Sequence, residues 1–552
     1  MEKPIQKIRM HYRELQQERH SWETHWLDVR DLIEPQRGRR ITGHADDTNR
    51  GDRKSYKRVN GVATRALNIL ASGMQSGLTS KARQWFMLSH PDQDLNKYRP
   101  VRMWYDQVQT ILEGVFRRSN IYSSFLHVYK EMAAFGQGAV LLTDHPDNTL
   151  FTKPYTTGTY YMSVDEWGAV DAFFQTEWLS ARQIVGKYGM DAVTSDIRHA
   201  YETGKLEARY EVVNAYLLHP EQYGLSVNEN RPVASVHFLA QSDNEDRFLK
   251  VSGFYSFPVM TPRWDVIDND VYGQSPTRDV IEDVKMLQSM AFDMLKGVKK
   301  TVSPPMRIPP ELERRGLNTS PDALNVVSSM NEHAVAPLIT PGMNLQHLQA
   351  SVAELENNIR DGYYNSLFLA LLTQDNPQMT AREVAERHEE KLLMLGPVLE
   401  RIHSELLDPV LARTYMIAYN AGLIPPPPME LEGEPVQIEY ISILSQAQKA
   451  VGVNRIEQSL SFMANMAAVY PEIRHAVDPY RTLESYNNMI GVQADIFVDE
   501  DDYNQKVAQE QQQQQLAQGA ATAETMANSA KVIGDADMAN VRDLLTGGNL
   551  AL

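Results

Sequence analysis

The stretch from Ser275 to Pro310 constrains this chain more than any other. Ser275 is followed by Pro276, a strong helix start: serine caps the first turn, and proline at the first helical position gives up an N–H that has no partner there. Val280, Val284, Leu287, Ala291, Met294 and Val298 follow at steps of 4, 3, 4, 3 and 4, a heptad-like seam along one helix face. At ~1.5 Å per residue the helix spans roughly 35 Å. Pro304-Pro305 and Pro309-Pro310 stop it, because proline cannot continue the hydrogen-bonded ladder.

Residues 301–347 form a proline-punctuated insert, after which the spacing predicts a second helix over Leu348–Leu371. A short polar loop, Thr373 to Met379, leads to Thr380, which with Glu383 forms a capping box. The helix that follows carries Leu392, Leu395, Leu399, Ile402 and Leu406, with Pro397 and Pro409 as expected kinks. Helical character resumes after the break at Ile424 to Pro428 and runs to about Met489. The last fifty residues are polar, with a glutamine run at Gln511–Gln515, and read either as a helix in an assembly or as partly disordered.

The N-terminal half begins with a charged helical pattern, Lys3 to Ile33, bearing Ile8, Tyr12, Leu15, Trp22, Trp26 and Val29. Pro35 to Asn60 is loop-like and holds eight Arg or Lys against three Asp. Such a loop is either simply solvated or a contact for phosphate or an acidic neighbour. The next helix aligns Val62, Ala66, Leu70, Gly73 and Gly77, and glycines four apart allow close backbone approach. Further helices are expected over Val101–Arg118 and Tyr122–Phe135. Beyond Gly136 and Gly138 the period changes to two, with strands at 139–143, 210–218, 233–239 and 249–255 and one helix near Ala181–Tyr188.

Composition narrows the functional classes. The 552 residues contain no cysteine, which excludes disulfides, thiolate nucleophiles and cysteine-ligated metals. The longest apolar run, Leu367–Leu372, is far below the roughly 20 residues that cross a bilayer. No apolar signal segment opens the chain, which predicts neither membrane insertion nor a secretory route. A formal charge of −17 disfavours tight DNA binding, which rests on phosphate neutralisation, but it leaves open a surface along which DNA slides.

Catalytic and cofactor motifs are absent. Gly136 and Gly138 begin a dinucleotide fingerprint that fails at Leu141, and no P-loop or zinc-protease helix is present. Glu400 with His403, and Glu472 with His475, each place a carboxylate and an imidazole on one helix face. Two such pairs occur in di-iron four-helix bundles, but no glutamates on apolar partner helices supply the other two ligands. Exposed charged pairs explain them more simply. No catalytic, cofactor or metal residue is assigned.

Three stretches together resemble the portal, or head-to-tail connector, proteins of short-tailed T7-like bacteriophages. They are Arg58–Ser80 (RVNGVATRALNILASGMQSGLTS) closing in Gln84–Leu88, Tyr272–Ile281 (YGQSPTRDVI), and Met379–Arg387 (MTAREVAER) with Pro397 and Glu405–Val410 downstream. Their order and separation follow the family, and the likeness covers about residues 5–430. It implies an α+β, mainly α fold. The expected plan is a helical wing at 1–136, a β-rich wing domain at 137–270, a first stem helix at 271–300 and a clip at 301–347. A second stem helix at 348–372, a tunnel loop at 373–379, a kinked helix and connector at 380–444 and a helical crown at 445–552 complete it.

The resemblance also implies a non-enzymatic role. Such subunits form a dodecameric ring at one capsid vertex, with the stem seam buried against neighbours. The ring passes double-stranded DNA without sequence specificity and docks the large terminase and then tail adaptor or tail tube proteins. It contacts major capsid and scaffolding proteins and no membrane. Gln374, Asp375, Asn376 and Gln378 are expected to line the narrowest passage. Lys296, Lys299 and Lys300 either face the lumen or complement the helix dipole. Arg307, Glu311, Arg314 and Arg315 are expected on the docking surface of the clip. A different self-assembling virion protein is the structural alternative, and the di-iron enzyme the catalytic one.

Overall fold

The computed structural model describes residues 3–35, 58–92, 95, 98–226, 231–241, 247–308, 318, 336–337, 345–372, 393–431 and 437–441, with scattered positions beyond 459. The chain divides into Met1–Val451 and Gly452–Leu552, and nearly all described residues belong to the first unit. That unit mixes helix and sheet and is mainly helical.

Helix α1 (Pro4–Leu32) serves two cores. Its first half buries Ile5, Ile8, Tyr12 and Leu15 against one face of a five-stranded antiparallel sheet, meeting Tyr161, Phe174, Val213 and Phe238. Its second half carries Trp26, Val29 and Leu32 into the main core. The sheet runs in the order β4 (Tyr160–Val164), β5 (Val170–Ser180), β6 (Arg209–Leu217), β7 (Val233–Leu239), β8 (Lys250–Phe254). Alternation along β6 sorts its side chains: Val213, Ala215 and Leu217 face α1, whereas Val212 faces a small third core under α5 (Ala181–Tyr188) and α6 (Ser195–Glu202). Helix α6 was not anticipated from the sequence.

In that third region His237 Nδ1 and the Tyr188 hydroxyl share a 2.8 Å hydrogen bond. Burial, reinforced by Lys187, Lys250 and Lys153, pushes its pKa down from 6.5 to about 3. The folded chain therefore holds this imidazole neutral, while the unfolded chain protonates it below 6.5. The resulting stability is complete above 6.5 and is lost as pH falls toward 3. Thermal unfolding followed across that interval should show a steep acid limb, and His237→Gln should flatten it. An unchanged limb in the variant would remove His237 as the cause.

The main core gathers α2 (Val62–Leu78), α3 (Arg99–Arg118), α4 (Ile121–Phe135) and the three-stranded sheet β3-β2-β9 (Thr149–Tyr155, Ala139–His145, Val259–Met260). Strand β1 (Phe86–Ser89) pairs antiparallel with β12 (Gln437–Tyr440), placing Phe86 opposite Tyr440 and joining distant parts of the sequence. β10 (Met306–Arg307) pairs with β11 (Ala336–Pro337) across the proline-rich insert.

Gly73 is closely approached, but by a side chain rather than by the backbone that the spacing suggested. A Cβ there would sit 2.4 Å from the ring of Phe368, so the helix carrying Phe368 can pack only because residue 73 is glycine. Phe368 lies on α9 (Asn365–Leu372), which is separate from α8 (Leu345–Gly362). The single helix expected over 348–371 is thus broken. Tyr364 adopts a left-handed φ of 53°, Tyr363 turns fully into the core, and its hydroxyl lies 2.7 Å from Thr277 Oγ1. Burying Tyr363 and Phe368 in one core outweighs the cost of the kink.

The kink expected near Pro409 takes the form of a π-turn, His403–Leu407, between α10 (393–402) and α11 (Asp408–Asn420). Proline at 409 has no N–H for the carbonyl of Glu405, and the wider turn absorbs its ring. The Glu405 carboxylate accepts from the Arg263 guanidinium at 2.8 Å and from the Arg263 backbone N–H at 2.8 Å, and Arg401 adds a third contact at 3.0 Å.

Candidate assembly interface

The long helix α7 (Pro276–Val302) is capped as the sequence dictates, with Ser275 Oγ accepting from Arg278 N at 3.3 Å. Its root is clamped from several sides. Ser275 and Thr277 hydroxyls donate to the carbonyls of Ala134 and Ala133 at the end of α4. Gly273 abuts Gly136 back to back, so neither position admits a side chain. Farther along, the buried Gln288 amide accepts from Val59 N and Asn60 N at 2.7 and 2.8 Å and donates to Asn60 O at 2.9 Å. Asn60 Nδ2 also donates to Glu356 of α8 at 2.9 Å. Two of the motifs singled out in the sequence, Arg58–Ser80 and Tyr272–Ile281, therefore converge on the root of one helix.

The seam divides at this root. Val280, Val284 and Leu287 are buried, with Ile359 of α8 in the same core and Val352 and Leu355 against it. Ala291 and Met294 are half-buried, and Val298 is exposed. A second apolar row lies beside the seam and faces solvent: Phe292, Leu295 and Val302 are 49%, 51% and 77% exposed. Their spacing of 3 and 7 puts them on one side of the helix. A rigid helix rooted in the core and presenting an uncovered apolar row is suited to burial against another copy.

Lys296, Lys299 and Lys300 are all exposed on the same shaft. Lys296 Nζ lies 4.1 Å above the Phe292 ring and 3.9 Å from Asp293. Lys299 and Lys300 occupy the last turn, where the helix dipole favours cations. Arg307 is exposed on β10. Glu311, Arg314 and Arg315 lie outside the described residues, as do Gln374, Asp375, Asn376 and Gln378. The Thr380–Glu383 capping box, Glu472 and His475 lie outside them too.

His403, half of one candidate metal pair, stacks flat on Tyr440 at 4.1 Å, and the Tyr440 hydroxyl donates to Asp408. That arrangement ties the π-turn to β12. Among the described residues no group of three or more His, Asp or Glu side chains is placed to hold a metal ion, and no helix is long and apolar enough to cross a membrane.

Residues 5–498 match the family model described as bacteriophage head to tail connecting protein. The match reaches well past residue 430, where the motif-based likeness ended. The chain is 33% identical over 543 residues to the portal protein of Salmonella phage epsilon15, covering 98% of this chain and 97% of that one. It is 32% identical over 527 residues to the probable portal protein of Bordetella phage BPP-1, covering 95% and 94%. Among solved structures, the neck of an empty GTA particle computed with C6 symmetry aligns with 73% of this chain and 86% of its own at 10% identity and a TM-score of 0.36.

Proposed function

Because this chain belongs to the bacteriophage head to tail connecting protein family, a structural rather than enzymatic one, we propose that it is a portal subunit whose copies close a ring around a DNA passage at a capsid vertex. The observation that carries the reading is the shaft of α7. Its root is locked into the core by Gln288, Thr277 and Gly273, while Phe292, Leu295 and Val302 remain uncovered. A neighbouring copy supplies the missing cover, and repetition of the same contact around an axis closes a ring.

In this reading the ring is dodecameric and its work is mechanical. The large terminase docks on it during packaging, and tail adaptor or tail tube proteins dock on the Arg307 to Arg315 region afterwards. Lys296, Lys299 and Lys300 near the end of α7 face the passage and offset an overall charge of −17. Gln374, Asp375, Asn376 and Gln378 line the narrowest point, where short polar groups touch DNA without the counterion release that would clamp it.

Analytical ultracentrifugation of the purified chain tests the assembly directly. The reading expects a discrete species many times the subunit mass of 62.7 kDa. A monomer or dimer at every accessible concentration would overturn it.

A further inference from the structure

Three arginines are buried among the described residues: Arg19, Arg263 and Arg413, with 0%, 4% and 7% of their surface exposed. Two of them carry a counter-charge, Arg19 through Glu23 and Arg263 through Glu405. Arg413, on α11, has no carboxylate within ion-pair distance among the described residues. Its Nε donates to Leu142 O of β2 at 3.0 Å, and its Nη1 to Ser256 O at 2.8 Å and Ser256 Oγ at 2.7 Å. The guanidinium carbon lies 5.2 Å from the centre of the Phe254 ring. These contacts clamp α11 to β2 and to the turn after β8 through uncharged groups alone. Neutral donors suffice for such a clamp. The fold itself therefore has no use for the positive charge, whose removal from water is costly when no opposite charge offsets it.

Two donors at the clamp are uncommitted. Arg413 Nη2 donates to no group among the described residues and is not sealed from solvent. Ser256 Oγ accepts from Nη1 and gives its own proton to no described group. Because that hydroxyl is held 2.7 Å from the guanidinium, both donors serve one small area. Burial pulls the Arg413 pKa from 12.5 down to about 10, against the opposing effects of Asp144 and Tyr216, so the group stays cationic at neutral pH. Asp144 is exposed on β2 and stands outside ion-pair distance. A fixed cation with a spare N–H and a hydroxyl proton alongside is the pattern that receives the oxygens of a carboxylate or a phosphate, since charge-assisted hydrogen bonds are the strong ones.

We propose that Arg413 and Ser256 form a binding site for one oxyanion group, a carboxylate or a phosphate, where α11, β2 and the turn after β8 meet. The site shares no residue with the α7 shaft and does not depend on the ring reading. Thermal unfolding of the full chain tests it, in rising sodium phosphate and separately in rising sodium acetate, with ionic strength held constant by sodium chloride. At about 100 mM of the better anion the unfolding equilibrium constant should fall about tenfold relative to chloride, as for a site half-filled near roughly 10 mM. Ser256→Ala should lose at least half of that response, and Asp144→Asn, which removes the nearby negative charge, should enlarge it. Arg413→Gln should show none, whatever its own melting temperature. The anion giving the larger response identifies the ligand as phosphate or carboxylate. No response to either anion in the native chain, or equal responses in the native, Ser256→Ala and Arg413→Gln chains, would overturn the site.

Discussion

Replacing Arg19 with alanine is expected to cost about 3–5 kcal/mol of subunit stability, the largest loss foreseen for any single substitution discussed above. Arg19 has no solvent exposure and lies on the inner stripe of α1, between its two cores. Its Nη1 donates to the carbonyls of Gly158 and Tyr160 at 3.1 and 2.8 Å, and its Nη2 to Glu23 Oε1 at 2.9 Å and the Tyr161 hydroxyl at 3.0 Å. The guanidinium carbon also sits 3.8 Å from the centre of the Tyr161 ring. Alanine strands a buried carboxylate and two carbonyls together. Lysine is expected to fail as well, since one ammonium cannot reproduce the fork. The double variant Arg19→Met, Glu23→Leu should recover only part of the loss, because an apolar pair of similar volume removes the unpaired charge but leaves the Gly158 and Tyr160 carbonyls without their donor. Thermal unfolding of the unassembled subunit checks this. If Arg19→Ala melts with the native chain, the inner stripe of α1 does not depend on the ion pair.

Placing aspartate at both Leu295 and Val302 is expected to abolish assembly over the range where the native chain forms rings, a loss of at least 100-fold in affinity per contact. Both side chains are exposed in the single subunit, so the fold should be unaffected and the melting temperature of the unassembled chain unchanged. The penalty falls on association, which would carry carboxylates from water into an apolar contact, where each costs several kcal/mol. About 2.7 kcal/mol already corresponds to 100-fold, and every contact in a closed ring repeats it. Ultracentrifugation of the variant beside the native chain reads the effect. Rings of undiminished stability would place the subunit interface elsewhere on the molecule.

How far these features were legible in the sequence depends on whether their signal is local. The cap at Ser275-Pro276 and the proline stop after residue 303 define α7 by neighbouring residues alone, and the structure ends it at Val302, close to the expected limit. Gly73 was legible because a glycine in a strong helical pattern needs a reason, and Phe368 supplies it. Arg19 was not. Periodicity assigns charged residues outward, so Trp22 was placed on the apolar face although it is only partly buried, while Arg19 and Glu23 fill the interval between Leu15 and Trp26. That interval, with no apolar residue on the inner stripe, was the available signal.

Pairings between distant segments left even less trace. β1 and β12 are four residues each and about 350 positions apart, so nothing in either predicts the other. The break between α8 and α9 had only Gly362 to announce it, and its cause, Tyr363 reaching Thr277, is tertiary. The heptad seam marked α7 as an apolar helix but not which of its apolar side chains the subunit itself covers. The seam's first half is satisfied within the subunit, and the uncovered row at Phe292, Leu295 and Val302 lies beside it. Only the position of α8 distinguishes the two.

Electron microscopy of the purified 552-residue chain reads the ring itself. Closed rings are expected, with a central opening wide enough for duplex DNA and with α7 of each subunit packed against its neighbour through Leu295 and Val302. Isolated subunits, or compact oligomers without an opening at concentrations where the contacts are saturated, would contradict it.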